Sequence, residues 1–303
     1  MHIQTDVNIE KEEVHAVKSV LSDLHVHTEY SDGSNSPDEV FEMARILDIH
    51  DLALTDHDTT HWLTQSGVDA FNRAQTFGIS LIRGIEVSAR DYDTGKKAHI
   101  LGYWPGCESF MPVHLLPFCQ TMQERRTEVS YQQIGVLQRL GIPVSVEEVL
   151  ENCKADQIFK HHILKTLFEK GLINDIIGNF YRQHFRRGCD CYFDLEYVSA
   201  QDVVAAIRAD NGYPVLAHPG QQKNYSSVPA LTEAGLMGIE YLHPVHTEED
   251  KTLITDLAQK YSLFKTAGSD FHGIYHQGRS LGSCILSDDD RDELVRRGLL
   301  KKK

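Results

Sequence analysis

Positive charge is what this chain has least of. Its 30 lysines and arginines stand against 44 aspartates and glutamates, a formal charge of −14 with a pI near 5.6. Proteins that wrap duplex nucleic acid neutralise many phosphates with basic side chains, so this balance gives no support for a stable duplex partner. It leaves room for a small anionic substrate, because a bound metal ion inverts the local sign of an acidic site. Long apolar runs are missing too. No stretch of about 18 to 20 apolar residues spans a bilayer, and the opening MHIQTDVNIEKEEVH has neither the basic region nor the apolar run of a signal peptide. A cytoplasmic protein without a membrane partner is expected. Cysteine is sparse, six in 303 residues, and the close pair Cys189 and Cys191 has one residue between its members. A zinc ribbon uses two to four, and a chain this long needs no disulfide scaffold to bury a core. Separate thiols are the expectation.

What is present reads as an α/β protein. After a polar leader over 1–19, VLSDLHVHT is a first strand with His25 and His27 on one face, since strand side chains alternate with period two. SPDEVFEMARIL follows as a helix, with Ser36 placed to cap, Pro37 at the first helical position and Glu39 set for a reciprocal contact. DLALTDHD, ISLIRGIEVSA and KAHILGYW continue the strands through 20–110. The rhythm changes over 111–198, where helical patterns around LLPFCQTMQERRTEVSYQQIGVLQRL, SVEEVLENC and IFKHHILKTLFEKGLI predict an inserted, mainly helical cap. Strands resume over 199–287 in YPVLAHP, MGIEYLHP and LFKTAGSDFHG, and 288–303 reads as a charged tail or the end of an accessory helix. Seven strands, six with polar blocks at their C-terminal ends, predict a distorted seven-stranded (β/α)7 barrel; an open doubly wound sheet is the structural alternative.

Those polar blocks supply His25, His27, Asp32, His57, Glu86, His99, His218, Asp270 and His272. Imidazoles mixed with carboxylates favour a cluster of first-row divalent ions over a structural zinc site. Each block alone has a bland reading: Asp32 before Gly33 as a turn, Glu86 as half of a buried ion pair. Together they are expected to ligate. Asp56 and Asp58 beside His57 are expected to orient ligands or shape the turn. An acid such as Glu86 within a strand-forming segment is costly to bury without a partner, and it could bridge two ions. Counting it twice gives ten metal bonds, enough for three divalent ions with water or substrate filling open positions.

Taken in order, DLHVHTEYSDGSNSP, ALTDHDTT, GIEVSA, HILGY, LAHPG and SDFHG resemble the polymerase-and-histidinol-phosphatase, or PHP, superfamily, and its standalone nucleotide phosphoesterase branch most in style. The resemblance runs from about Ser22 to Gly282. It implies a trinuclear phosphoesterase with one ion on His25, His27, Glu86 and Asp270, a second on Glu86, His99 and His218, and a third on Asp32, His57 and His272. Glu86 and Asp270 would then serve catalysis directly through the ions they hold. Manganese or iron is preferred, with zinc as the other choice. It also places His246, in EYLHPVHTEED, near the substrate phosphate as a proton or hydrogen-bond donor, with His243 as a pocket residue.

Phosphate recognition needs cations as well. Arg125 and Arg126 are neighbours on a helix, about 100° apart, so one can clamp a phosphate while the other faces water. Arg279 beside the last block is a further candidate; Arg182, Arg186, Arg187, Lys223, His161 and His162 are weaker ones. The reaction expected is metal-assisted hydrolysis of a small phosphorylated nucleotide, a nucleoside 3′,5′-bisphosphate or 5′-monophosphate. Alternatives are 5′-to-3′ hydrolysis of short single-stranded oligonucleotides, histidinol-phosphate hydrolysis, and a non-enzymatic metal-dependent nucleotide sensor.

Overall fold

Leu21–Val26 forms the first strand, β1, and is buried on both faces from Ser22 onward. The computed structural model describes residues 19–106, 108–154, 157–276 and 278–302, so the leader read over 1–19 lies, up to residue 18, outside the described residues. Helix α1 (Pro37–Ile46) starts as its sequence dictates: the Ser36 hydroxyl accepts from the Glu39 backbone N–H, and the Glu39 carboxylate accepts from that of Ser36. Its apolar side, Val40, Phe41 and Ala44, is buried. Strand β2 (Ile49–Leu54), α2 (Gln65–Thr76), β3 (Ser80–Asp91) and β4 (Lys96–Trp104) follow.

Strands β1, β2 and β3 pair in parallel, whereas β4 is antiparallel to β3. The short turn after Asp91 decides this, since a parallel return needs a crossover of a dozen or more residues. Four helices come next: α3 (Leu116–Arg139), α4 (Val146–Leu150), α5 (Lys160–Glu169) and α6 (Asn179–His184). Gly141 and Gly171, at φ +80° and +67°, stand just past α3 and α5, where a left-handed residue ends a helix cheaply. This segment has its own apolar cluster, built on Ile134, Leu137, Ile163, Leu164 and Leu167, and it recruits Tyr275 from far along the chain.

The remainder is β5 (Val198–Ser199), α7 (Ala200–Ala209), β6 (Tyr213–Leu216), α8 (Pro219–Gln222), α9 (Val228–Glu233), β7 (Gly238–Leu242), α10 (Glu248–Tyr261), β8 (Phe264–Ala267) and α11 (Asp288–Arg296). Among the described residues the sheet therefore has eight strands, in the order β1-β2-β3-β4-β6-β7-β8, with β5 paired to β3 off this path. The strand beyond the seven expected is the two-residue β5. One parallel bridge, Val26 to Phe271, joins β1 to the segment after β8, and the His27 N–H donates to the Phe271 carbonyl at 2.9 Å.

Side chains from along the sheet, including Leu24, Ala53, Ile82, Leu101, Val215 and Phe264, meet in one cluster with Leu294, Leu299 and Leu300. Of the two readings of 288–303, charged tail or end of an accessory helix, the structure has a helix: α11 docks on the sheet, because three leucines among the charges provide an apolar anchor. Arg291, buried, donates to Asp51 at 2.8 Å. Among the described residues the cysteines are unpaired, and no helix is long and apolar enough to cross a membrane.

Candidate metal centre

The sheet brings the polar blocks to one rim. Strand β3 overhangs β2: Leu54 pairs with Arg83, and three residues further His57 bridges to Glu86. Glu86, midway along its own strand, is therefore level with the ends of its neighbours. His99 sits near the start of β4, not at a C-terminal end as expected, and reaches the same rim because β4 runs the other way. Its carbonyl accepts from the Ala217 N–H at 3.0 Å, which sets it beside His218. Gly33 serves by its size, since a Cβ there would lie 2.6 Å from the His27 carbonyl oxygen.

The nine candidate ligands converge. Glu86 Oε2 lies 3.2 Å from His25 Nε2, 3.2 Å from His27 Nε2 and 3.3 Å from His57 Nε2. Glu86 Oε1 is 2.7 Å from His218 Nε2 and 3.0 Å from His99 Nδ1. Asp270 Oδ1 is 3.2 Å from His27 Nε2, and Asp32 Oδ1 is 3.2 Å from His272 Nε2. Three groups have donors close enough to share an ion: His25, His27, Glu86 and Asp270; His57, Glu86 and His99; His27, Asp32, His57 and His272. The first is the expected set. The others regroup His57 and His27 across the sets that the resemblance implied, while His218 joins through Glu86.

Divalent ions fit this arrangement. Glu86 Oε2 and Asp270 Oδ1 are buried acceptors with no hydrogen-bond partner, although imidazole nitrogens surround both. Orphaned buried oxygens are costly, and oxygens converging with nitrogens on common points are the donor set of a first-row cation. Burial opposes ionisation of Glu86, Asp32 and Asp270, yet the surrounding histidines outweigh it and hold all three well below the usual carboxylate range. Burial pushes His57 down to about 4, so it is neutral, as a ligand must be. Against their own burial, His27 is raised to about 10 by Asp270 and Glu86, and His25 is raised by Glu240, Glu86 and Asp270. Cation binding displaces those protons. His218 and Asp270 have φ of +26° and +50°, a conformation L residues rarely adopt and that clusters at functional sites.

Sequence reading missed Glu240. Fully buried on β7, it accepts from His25 Nδ1 at 2.9 Å and from the His218 backbone N–H at 2.7 Å, so one carboxylate orients two candidate ligands. Its signal was an acid inside an apolar strand, the same as that of Glu86. Asp56 accepts from Thr28, Ser31 and Trp62 and shapes the loop carrying Asp32. Asp58 accepts from the Ser88 N–H at 2.7 Å and from Arg126 at 2.5 Å.

A cavity of about 680 Å³ opens on the cluster, with Asp32, His57 and His99 in its wall. Arg126 lines it, its guanidinium also donating to Ser88 and lying over Phe159 at 4.6 Å. Arg125 does not line it and turns to the Glu196 carbonyl at 3.0 Å. Arg279 pairs with Asp270 and donates to Gln221 at 2.8 Å. His243 is buried with Nε2 3.2 Å from Asp270 Oδ2. His246 has both ring nitrogens engaged by backbone, Nδ1 with the Tyr241 carbonyl at 2.9 Å and Nε2 with the Gly220 N–H at 3.2 Å. Lys223 is tied to Asp250, Arg182 to Asn179, and Arg187 reaches the cavity. Tyr103 is a core residue whose hydroxyl donates to the Leu24 carbonyl.

The sequence matches the PHP domain model over residues 23–180. It is 40% identical over 255 residues to the phosphoribosyl 1,2-cyclic phosphate 1,2-diphosphodiesterase of Eggerthella lenta, covering 84% of this chain and 95% of that protein. It is 30% identical over 270 residues to the 3′,5′-nucleoside bisphosphate phosphatase of Chromobacterium violaceum, covering 86% and 90%. Among solved structures, a protein from Bifidobacterium adolescentis assigned as a metal-dependent phosphoesterase superposes with a TM-score of 0.78 at 26% identity, covering 92% of this chain and 96% of the other.

Proposed function

Because the chain belongs to the PHP domain family and is a metal-dependent phosphoric ester hydrolase, we propose that its substrate is a small ribose phosphate carrying two phosphate groups, most directly a nucleoside 3′,5′-bisphosphate. The observation that carries this is the cavity wall. On a chain of net charge −14, Arg90, Lys96, Lys97, Arg126, Lys160 and Arg187 line one cavity against only Asp32 and Asp194. Six cations beside a metal cluster exceed what one phosphate needs, and arginine is suited to bidentate phosphate contacts.

In this reading His25, His27, Asp32, His57, Glu86, His99, His218, Asp270 and His272 hold three divalent ions, manganese or iron before zinc. When bound, such ions supply a Lewis acid for the phosphoryl oxygens and lower the pKa of water. The protein's own part is positioning. Glu86 joins two ligand groups through its two oxygens; Arg279 and His243 fix Asp270; Gln157 donates to the His57 carbonyl at 2.8 Å and Gln123 to that of Asp58 at 2.9 Å. Arg126, held by Asp58, presents its cation to the substrate. We read the sheet as a distorted barrel, supported by the Val26 to Phe271 bridge and the cluster shared among its strands, and α3 to α6 as a cap over its mouth.

A second reading, opening of a phosphoribosyl cyclic phosphate, has its own support. The face of Tyr197 is covered by Lys97 at 4.7 Å and Arg90 at 5.6 Å, which suits a substrate without a base to stack, and the Eggerthella lenta relative is named for that ester. The test is a screen of Mn²⁺-loaded protein on adenosine 3′,5′-bisphosphate, phosphoribosyl 1,2-cyclic phosphate, AMP, histidinol phosphate and a short 5′-phosphorylated oligonucleotide. A second phosphate held by charged hydrogen bonds should raise kcat/KM over AMP by roughly tenfold to a hundredfold. Equal rates on AMP, or turnover confined to histidinol phosphate or the oligonucleotide, would overturn the two-phosphate assignment.

A further inference from the structure

We propose that His161, delivered by the first turn of α5, is a positioning residue that holds Asp32 for its ion by donating a hydrogen bond from Nδ1 to Oδ2. The proposal rests on the reading of Asp32 as a metal ligand. His161 is 4% exposed, and its Nδ1 is a buried atom with no hydrogen-bond partner, a state that costs free energy unless something satisfies it. The nearest anion is Asp32 Oδ2, at 3.6 Å, a few tenths of an ångström beyond hydrogen-bond range. The other carboxylate oxygen, Oδ1, faces His272 Nε2.

His161 lies outside the groups whose donors converge tightly enough to share an ion, so it acts on the carboxylate and not as a ligand. Its ring is fixed: it stacks on Tyr275 with centroids 5.3 Å apart and planes 14° from parallel. Tyr275 belongs to the segment just past His272 and packs into the apolar cluster of the helical segment. The neighbouring His162 is occupied elsewhere, its Nδ1 accepting from the Phe159 N–H at 3.2 Å. A contact from the inserted helices to Asp32 makes their packing part of the metal site. A hydrogen bond from outside the ligand set commonly governs metal affinity by about tenfold to a hundredfold.

The experiment titrates metal-free protein with Mn²⁺ alone, following affinity and stoichiometry by calorimetry, with thermal melts of each metal-free variant. His161→Phe keeps the stack on Tyr275 and removes the donor; His161→Asn places an amide N–H near the position of Nδ1. The expected result is an affinity loss of about tenfold to a hundredfold at one site in His161→Phe, restored in His161→Asn, with metal-free Tm values close to wild type. Wild-type Mn²⁺ binding in His161→Phe, or no recovery in His161→Asn, overturns the proposal. Asp32→Asn separates the two layers: if it too binds Mn²⁺ like the wild type, Asp32 is no ligand and the reading beneath has failed.

Discussion

Two glutamates in apolar strands, Glu86 on β3 and Glu240 on β7, divide the work at the centre of the cluster. Glu86 shares its oxygens among five imidazoles; Glu240 belongs to none of the candidate ion groups among the described residues and orients His25 and His218 from behind. Replacing each by glutamine keeps the volume and removes the charge. Glu86→Gln should lose more than about a hundredfold in kcat with reduced metal content, whereas Glu240→Gln should weaken Mn²⁺ binding by roughly tenfold to a hundredfold, the range for outer partners. Metal analysis beside turnover checks both; wild-type metal content and activity in Glu86→Gln would refute its bridging role. The nine candidate ligands were legible because histidine pairs two residues apart and acids within strands recur along the chain. Glu240 carries that same mark and was passed over, its neighbours His243 and His246 drawing attention to the loop instead. How the donors group was not legible, since grouping depends on which way each imidazole turns in space.

At the scale of elements, the helix start at α10 shows how a single carboxylate ties several pieces together. Asp250 accepts from the Thr247 N–H and hydroxyl at 2.9 Å, from Lys223 at 2.7 Å and from Tyr225, so it caps its own helix and holds the end of α8. Burial works against its ionisation, but the hydrogen bonds from Lys223, Tyr225 and Thr247 outweigh it and hold its carboxyl well below the usual range. A depressed folded pKa means stability that is fully present above the unfolded value, about 3.9, and is lost as pH falls through the folded one. The gap in Tm between wild type and Asp250→Asn should therefore be constant from pH 6 to 5 and narrow below about pH 4; a gap unchanged at pH 3 would show that its charge contributes nothing. Helix caps of this kind were readable at Ser36. The direction of β4 and the facing of the α3 arginines were not settled: the first follows from a turn length, while α3 carries buried residues on several sides, which hides whether Arg125 or Arg126 points inward.

For the whole molecule, the candidate ligands come from strands and loops spread from residue 25 to residue 272, so ions held by them would bind the folded chain and not its unfolded form. Mass action then gives about 2.7 kcal/mol per site when free metal is a hundredfold over Kd. Chelation should lower Tm by several degrees, with Mn²⁺ restoring it; identical melts with and without chelator would show that the cluster holds no ion. The α/β class and the run of helices between β4 and β5 were readable from the alternation of patterns, whereas the docking of α11 was masked by its charges. The Val26 to Phe271 bridge has a further consequence for synthesis. A nascent chain carries its first histidine pair out of the ribosome long before the partners of that pair, Asp270 and His272, are made. The ion group proposed on His25, His27, Glu86 and Asp270 is thereby assembled only once synthesis has passed residue 270.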